Sequence, residues 1–479
     1  MLPDTVTAYA LWALLVGDFV IRVVSLVWVP RNRRPQTALA WLLLIFFVPY
    51  VGFLLFLLLG SNRLPRSRRT KQADINRYIR EVAGGVDELV TPRRYASVIR
   101  LNRELGSMPL TAGNRVEFLT DYTASLAELT RAVRSAEHTL HIEFYIVSVD
   151  DDTTEFCDEV ANAVSRGVTV RFLYDHLASA RIPRYRDSLA RIRATGAQVA
   201  ASLPVRPWAG RYQRPDLRNH RKIMVVDSRV AYTGSQNLIH PSYHRRGRKG
   251  LQWRELLVRL EGPVVASLDA LFITDWWCET DELVTPRVGT EDHDSAGGNL
   301  AQVVPSGPTF DGENNLRMFN ALLYSATRRI ALSSPYFVPD SSLRYAVTTA
   351  AQSGIEVDLY VSAAYDQPLV FHAQCSYYEE LLAAGVRIWL YPEPELLHSK
   401  FVIIDDEVAV VGSSNLDMRS FSLNLESSVM LHGPAVDELR RIEEGYREVS
   451  HPLTADEWAG RHWTRTIKES LARLTATVH

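Results

Sequence analysis

The stretch His220–Asn237 reads HRKIMVVDSRVAYTGSQN, and His398–Asn415 reads HSKFVIIDDEVAVVGSSN. Each sets a histidine and a lysine two residues apart before an apolar run, then an aspartate, a second apolar run and Gly-Ser-x-Asn. On a strand, alternate side chains share a face. His220 and Lys222 therefore point one way, as do His398 and Lys400, while Arg221 and Ser399 point oppositely. Two residues along a strand are about 6.5–7 Å apart, so one imidazole and one ammonium can touch the same phosphate-sized anion. A turn at Asp227 or Asp405 then leads to a returning strand that ends at Asn237 or Asn415.

The duplication extends well beyond these runs. FYIV at Phe144 matches PYFV at Pro335, GVTVRFLYD from Gly167 matches GIEVDLYVS from Gly354, and ELLVRLEGP from Glu255 matches ESSVMLHGP from Glu426. A period this long is that of a domain rather than a solenoid repeat. Each copy reads as strand, helix, strand, hairpin and further strand, with β-branched runs after glycine marking buried parallel strands. The expectation is two α/β domains related by a pseudo-twofold axis and packed face to face, spanning 112–290 and 291–479, with the divide in the polar stretch 285–301. The second domain ends in RTIKESLARLTATV from Arg465, a candidate amphipathic helix whose apolar face lies on a bilayer or packs on the domain.

The chain has 479 residues, 47% hydrophobic and 23% charged, which suits two or three full cores rather than disorder. A net charge of -2 does not advertise a nucleic-acid partner. The three scattered cysteines, Cys157, Cys278 and Cys375, suit single thiols in a reducing compartment better than a disulfide framework or a metal knot.

Two apolar segments open the chain. Val6–Val29 carries only Asp18 and Arg22 as charges, four apart and so able to face one another on a helix, and Thr37–Leu59 holds 23 residues without a charge. About 20 helical residues cross a hydrocarbon layer, so residues 1–61 read as a hairpin of two transmembrane helices turning at PRNRRP, around Asn32. Residues 62–111 read as a basic juxtamembrane linker. Its start, SNRLPRSRRTK, carries five basic residues against three in the hinge, which favours a cytoplasmic catalytic part. This cluster and the loop Arg245–Lys249 are candidate contacts for anionic headgroups.

With both His-x-Lys patterns, both Gly-Ser-x-Asn ends and both Glu-x-x-Val-x-Leu-x-Gly-Pro strands present, the chain resembles the phospholipase D superfamily, whose two HKD motifs these are. HIEFYIV at His141, SSPYFVPD at Ser333 and GSSNLDMRSFSLNLE at Gly412, behind an apolar pair with basic flanks, narrow the resemblance to the bacterial cardiolipin synthase family. That resemblance implies two phospholipase D-like domains with transfer of a phosphatidyl group between two phosphatidylglycerols, glycerol leaving, without metal or other cofactor. It implies His220 as nucleophile and His398 as acid, though either order satisfies the pattern. Lys222, Lys400, Asn237 and Asn415 would hold the phosphoryl oxygens, and Asp227 and Asp405 complete the motifs, with bracing the favoured role for both turn aspartates. Glu255 and Glu426 would each accept a hydrogen bond from the histidine of their own motif; the family often has aspartate at the first of these. A hydrolase with water as acceptor and a membrane-tethered nuclease fit the same motifs.

Overall fold

The motif stretch folds into the hairpin its pattern demands. Ile223–Val226 pairs antiparallel with Val230–Gly234, and Phe401–Ile404 with Val408–Gly412. The connecting loops put Asp227, Ser228, Asp405 and Asp406 at positive φ, a region aspartate tolerates better than most residues. This computed structural model describes residues 4–31, 33, 35–61, 63–82, 92–206, 213–242, 250–285, 297–310 and 312–474. They form two units, 1–64 and 65–479.

In the larger unit each hairpin is the centre of a half-sheet. On one side lie three mutually parallel strands, Thr139–Phe144, Thr169–Asp175 and Gln198–Ser202 in the first half, with Arg329–Ser333, Glu356–Ser362 and Arg387–Tyr391 in the second. On the other side lie Leu257–Glu261 and Asn424–His432. Each half also has an opening strand that the repeat comparison missed, Leu110–Leu119 and Asn299–Ser306. These two pair antiparallel, Leu110 opposite Gln302, and fuse the halves into one sheet. Face-to-face packing is thus corrected to edge-to-edge joining: each opening strand would otherwise expose unpaired N–H and C=O groups, and the two edges satisfy one another. Leaving out His451–Leu453, the strand order reads the same from both ends. Residues 286–296, where the divide was expected, and the loop Arg245–Lys249 lie outside the described residues.

The basic linker is also corrected. Arg66–Val82 is a helix packed on helix Val264–Thr280, and Ala96–Gly106 is a helix packed on Asn314–Ser325. Arg68 is buried against Glu279, and Lys71 Nζ donates to Asp281 Oδ1 at 2.5 Å and to Trp277 O at 2.7 Å. Those two cations are held by the protein rather than offered to headgroups.

In the smaller unit the first apolar segment is one helix, α1, Asp4–Trp28, the described helix long and apolar enough to cross a membrane. Arg22 Nε and Asp18 Oδ2 meet at 3.0 Å, as their spacing required. The second segment is not one helix, which corrects the reading of Thr37–Leu59. It forms α2, Pro35–Phe47, and α3, Pro49–Leu59, because Pro49 has no N–H and pushes Val48 out of helical geometry. The chain then doubles back. Arg33, at the foot of α2, donates both to Gly60 O past the end of α3 (3.1 Å) and to Val29 O past the end of α1 (2.9 Å). At the tip, the Tyr50 hydroxyl donates to Leu14 O, halfway along α1. Gly52 permits the fold-back, since a Cβ there would sit 2.8 Å from Leu44 O.

Truncating one partner of a buried ion pair leaves the other charged in a low dielectric, at a cost of about 3–5 kcal/mol. Arg68→Ala is expected to lower unfolding stability by about that amount, with Arg68→Met/Glu279→Leu recovering most of it, measured by thermal unfolding in detergent.

Candidate active site

His220 and Lys222 immediately precede the strand Ile223–Val226, and His398 and Lys400 immediately precede Phe401–Ile404. Each approach segment is zipped to the other half. Arg218–Asn219 pairs in parallel with Asn424–Leu425, and His220 N donates to Leu425 O at 2.9 Å. Glu395–Leu397 pairs in parallel with Gln252–Arg254, and His398 N donates to Arg254 O at 2.8 Å. These cross-pairings carry each histidine to the glutamate of the opposite repeat. His220 Nδ1 lies 3.0 Å from Glu426 Oε2, and His398 Nδ1 lies 2.8 Å from Glu255 Oε2. The expectation that each glutamate serves its own motif is therefore corrected to an exchange, and both carboxylates face imidazole nitrogens rather than a substrate.

With Nδ1 committed to a carboxylate, Nε2 is the ring atom left for chemistry. Tyr145 packs edge-on to the His220 ring at 4.6 Å, and Trp253 does the same to His398 at 4.2 Å. Each lysine folds back, Lys222 Nζ to His220 O and Lys400 Nζ to His398 O, both at 2.6 Å. Lys222, Lys400 and His220 all lower His398, and Lys222 and Lys400 lower His220, so the two motifs lie within electrostatic reach of one another.

The two pairs are not electrostatically equal. Burial brings His220 down to about 4, against the pull of the Glu426 carboxylate. Glu426 nevertheless stays below its ordinary range despite burial, held by His220, Lys222 and the Ser413 hydroxyl, which donates to Oε2 at 2.5 Å. Glu255 is pushed up to about 7 by burial, and His398 falls well below its usual value for the same reason. Burial thus works against charge on both rings, and it raises Glu255 while Glu426 stays low.

Other expected residues divide clearly. Asn237 Oδ1 accepts from Ile146 N at 3.2 Å, and Asn415 is buried beside Ser420, to whose hydroxyl its backbone N–H donates. Gly234 and Gly412 precede the asparagine turns because a Cβ would strike Leu256 O at 2.2 Å or Ser427 O at 2.3 Å. Asp227 and Asp405 belong to the brace. Each lies seven residues beyond its histidine, roughly 20 Å along a strand. Asp227 accepts from the N–H groups of Glu137, His138 and Thr139, and Asp405 from those of Thr327, Arg328 and Arg329. Their placement in a catalytic set is corrected accordingly. Arg221 and Ser399 turn away as expected, Arg221 into a buried pair with Asp275 and Ser399 to Ser333 Oγ at 3.1 Å. Sequence reasoning missed Ser413, although the doubled Gly-Ser pair marked it, and the stacking of Tyr145 and Trp253.

This sheet and doubled motif define a phospholipase D-like protein. The family model described as "Cardiolipin synthase, PLD-like domain" matches residues 129–276 and 319–445, and "Phospholipase_D-nuclease N-terminal" matches 20–61. The chain is 32% identical to "Cardiolipin synthase A" of Proteus mirabilis (strain HI4320), over 97% of this chain and 96% of that protein. It is 33% identical to "Cardiolipin synthase" of Alkalihalophilus pseudofirmus, over 93% and 89%. The chain belongs to the cardiolipin synthase family. The crystal structure of phosphatidylserine synthase from Haemophilus influenzae Rd KW20 shares the fold at a TM-score of 0.61 and 15% identity, over 79% of this chain and 99% of that one.

Burial holds Lys222 down to about 8 and Lys400 to about 7. Only the charged forms grip an anion, so affinity of the free protein for inorganic phosphate or glycerophosphate is expected to fall as pH rises through 7–8 rather than near 10.5. A bound anion raises both values, so binding takes up protons from that window upward, where the free lysines have begun to lose theirs. Calorimetric titration between pH 6 and 9 in two buffers of different ionisation heat checks both.

Proposed function

We propose that the chain is a membrane-bound phosphatidyltransferase that makes cardiolipin from two phosphatidylglycerols. The observation that carries this reading is the pair of buried histidines, each held through Nδ1 by a buried carboxylate of the opposite repeat, with both lysine ammonium groups acting on both rings. His220, neutral, attacks phosphorus through Nε2. The bond to the glycerol oxygen breaks, and His398 gives that oxygen a proton drawn from the His398–Glu255 pair as the bound anion raises the ring's basicity. His398 then takes the proton of the second lipid's glycerol hydroxyl, which attacks phosphorus as the bond to His220 breaks. One phosphodiester replaces another, so no nucleotide is consumed. Lys222, Lys400, Asn237 and Asn415 stabilise the non-bridging oxygens, the task of an oxyanion hole.

The two catalytic domains are assigned to 112–290 and 291–479 with a pseudo-twofold relation; the palindromic strand order and the exchanged glutamates support this. Nucleic acid is not assigned as a substrate.

For the membrane, one span and a re-entrant pair replace two spans. A crossing needs about 30 Å of helix, whereas α2 and α3 supply about 20 and 16 Å at 1.5 Å per residue. The Arg33 contacts with Gly60 and Val29 support return to the face where α1 ends. Arg31, Arg33 and Arg63, at the ends of α1 and α3, then lie on one side, which the positive-inside tendency makes cytoplasmic.

Incubating purified protein with phosphatidylglycerol and resolving the lipids is expected to give cardiolipin and free glycerol; phosphatidic acid alone identifies a hydrolase instead. His398→Ala is expected to lose roughly 10²–10⁴-fold in turnover, and acid-quenched enzyme to carry the phosphatidyl group on His220. For topology, Arg31→Cys and Ser61→Cys are both expected to resist an impermeant maleimide in intact cells and to label once the membrane is opened, read against the parent with its native cysteines. Labelling of Arg31→Cys but not Ser61→Cys in intact cells restores two spans.

A further inference from the structure

The helix Trp463–Leu474 is seated with its polarity reversed. Its inward face is anchored by Glu469, 1% exposed, which accepts from Arg461 Nε at 3.1 Å and Arg465 Nε at 3.0 Å. Trp463, Ile467, Leu471 and Leu474 form one outward stripe, 65%, 48%, 60% and 77% exposed. A helix serving only its own domain turns that stripe inward, and a continuous exposed apolar strip marks a partner. The charges say which partner. Glu469 is the helix's one acid and is buried, while Lys468 flanks the stripe in the open and Arg473, on its other side, lies over the Tyr377 ring at 4.4 Å. An apolar ridge with cationic flanks fits the surface of a bilayer rich in anionic lipid.

Beneath the helix lies a cavity of about 480 Å³ walled by Tyr365, Phe371, Tyr378 and Trp458, with Arg465 and Lys468 at its rim. Its inner wall includes Ser362, whose hydroxyl accepts from Leu397 N, one residue before His398. Arg465 is held by Glu469, so Lys468 is the rim cation, and aromatic walls beneath it suit an acyl chain under a phosphate headgroup.

We infer that the helix Trp463–Leu474 lies in the interfacial layer of the membrane with its apolar stripe among acyl chains, and that the adjoining cavity takes an anionic phospholipid from that layer toward His398. The role of His398 in this inference rests on the function proposed above; the seating of the helix does not.

The full chain in nanodiscs of phosphatidylglycerol and phosphatidylcholine provides the test. An environment-sensitive fluorophore on Leu471→Cys or Ile467→Cys is expected to emit blue-shifted and to be quenched several-fold more by doxyl lipids than one on Thr466→Cys, which is exposed but off the stripe, with the parent chain as background. Water-like emission without quenching at 471 overturns the inference, as does a disulfide between the 471 positions of two copies, which assigns the stripe to a second chain. Ile467→Gln/Leu471→Gln, milder than an acid, is expected to keep the parent's Tm and kcat within twofold while raising the apparent surface KM for phosphatidylglycerol about tenfold. Unchanged KM in a folded variant removes the cavity's part. Quenching at 471 in a protein that makes no cardiolipin sinks the function proposed above and leaves the helix assignment standing.

Discussion

Two exchanged contacts, His220 with Glu426 and His398 with Glu255, are the constraint around which the large unit is organised. A fully buried carboxylate costs several kcal/mol unless it is paired, and here each is paired with a ring from the other repeat. That demand explains the parallel ribbons Arg218–Asn219 with Asn424–Leu425 and Glu395–Leu397 with Gln252–Arg254, which bring the partners together. It also accounts for Gly234 and Gly412, where a side chain would push the glutamate strand away. The sheet joined at Leu110–Leu119 and Asn299–Ser306 keeps the halves in register for both contacts at once.

Much of this was legible in the residues. Period-two alternation placed His220 with Lys222 on one face and Arg221 on the other, and the buried Arg221–Asp275 pair is the result. The turn aspartates read as braces because aspartate accepts backbone N–H groups and tolerates positive φ, and both do so here. The exchange of glutamates was not legible. A self-comparison aligns Glu255 with Glu426 but carries no information on which histidine each meets, since that depends on long-range pairing. The opening strands escaped for a related reason: LTAGNRVEFL and NLAQVVPS share little pattern, because each pairs with neighbours in its own half and with the other.

Hydropathy alone misled at the membrane end, where 23 uncharged residues fit a span by length. Pro49 was the signal against it. A proline within an apolar helix removes one hydrogen bond and displaces the preceding residue, and with Gly52 three positions on, the chain turned rather than kinked. Composition likewise overstated the juxtamembrane cations, because charge counts do not reveal that Glu279 waits for Arg68.

Because each imidazole borrows its carboxylate from across the duplication, neither repeat by itself holds a complete histidine–carboxylate pair. A lone repeat would need a second copy of itself to complete either pair, and its two histidines would then be identical and interchangeable. A hydroxyl from the Gly-Ser pair meets each carboxylate, Ser413 at Glu426 and Ser235 at Glu255, whereas Asn424 reaches Glu426 where the first repeat has Trp253, so one polypeptide lets the two settings differ.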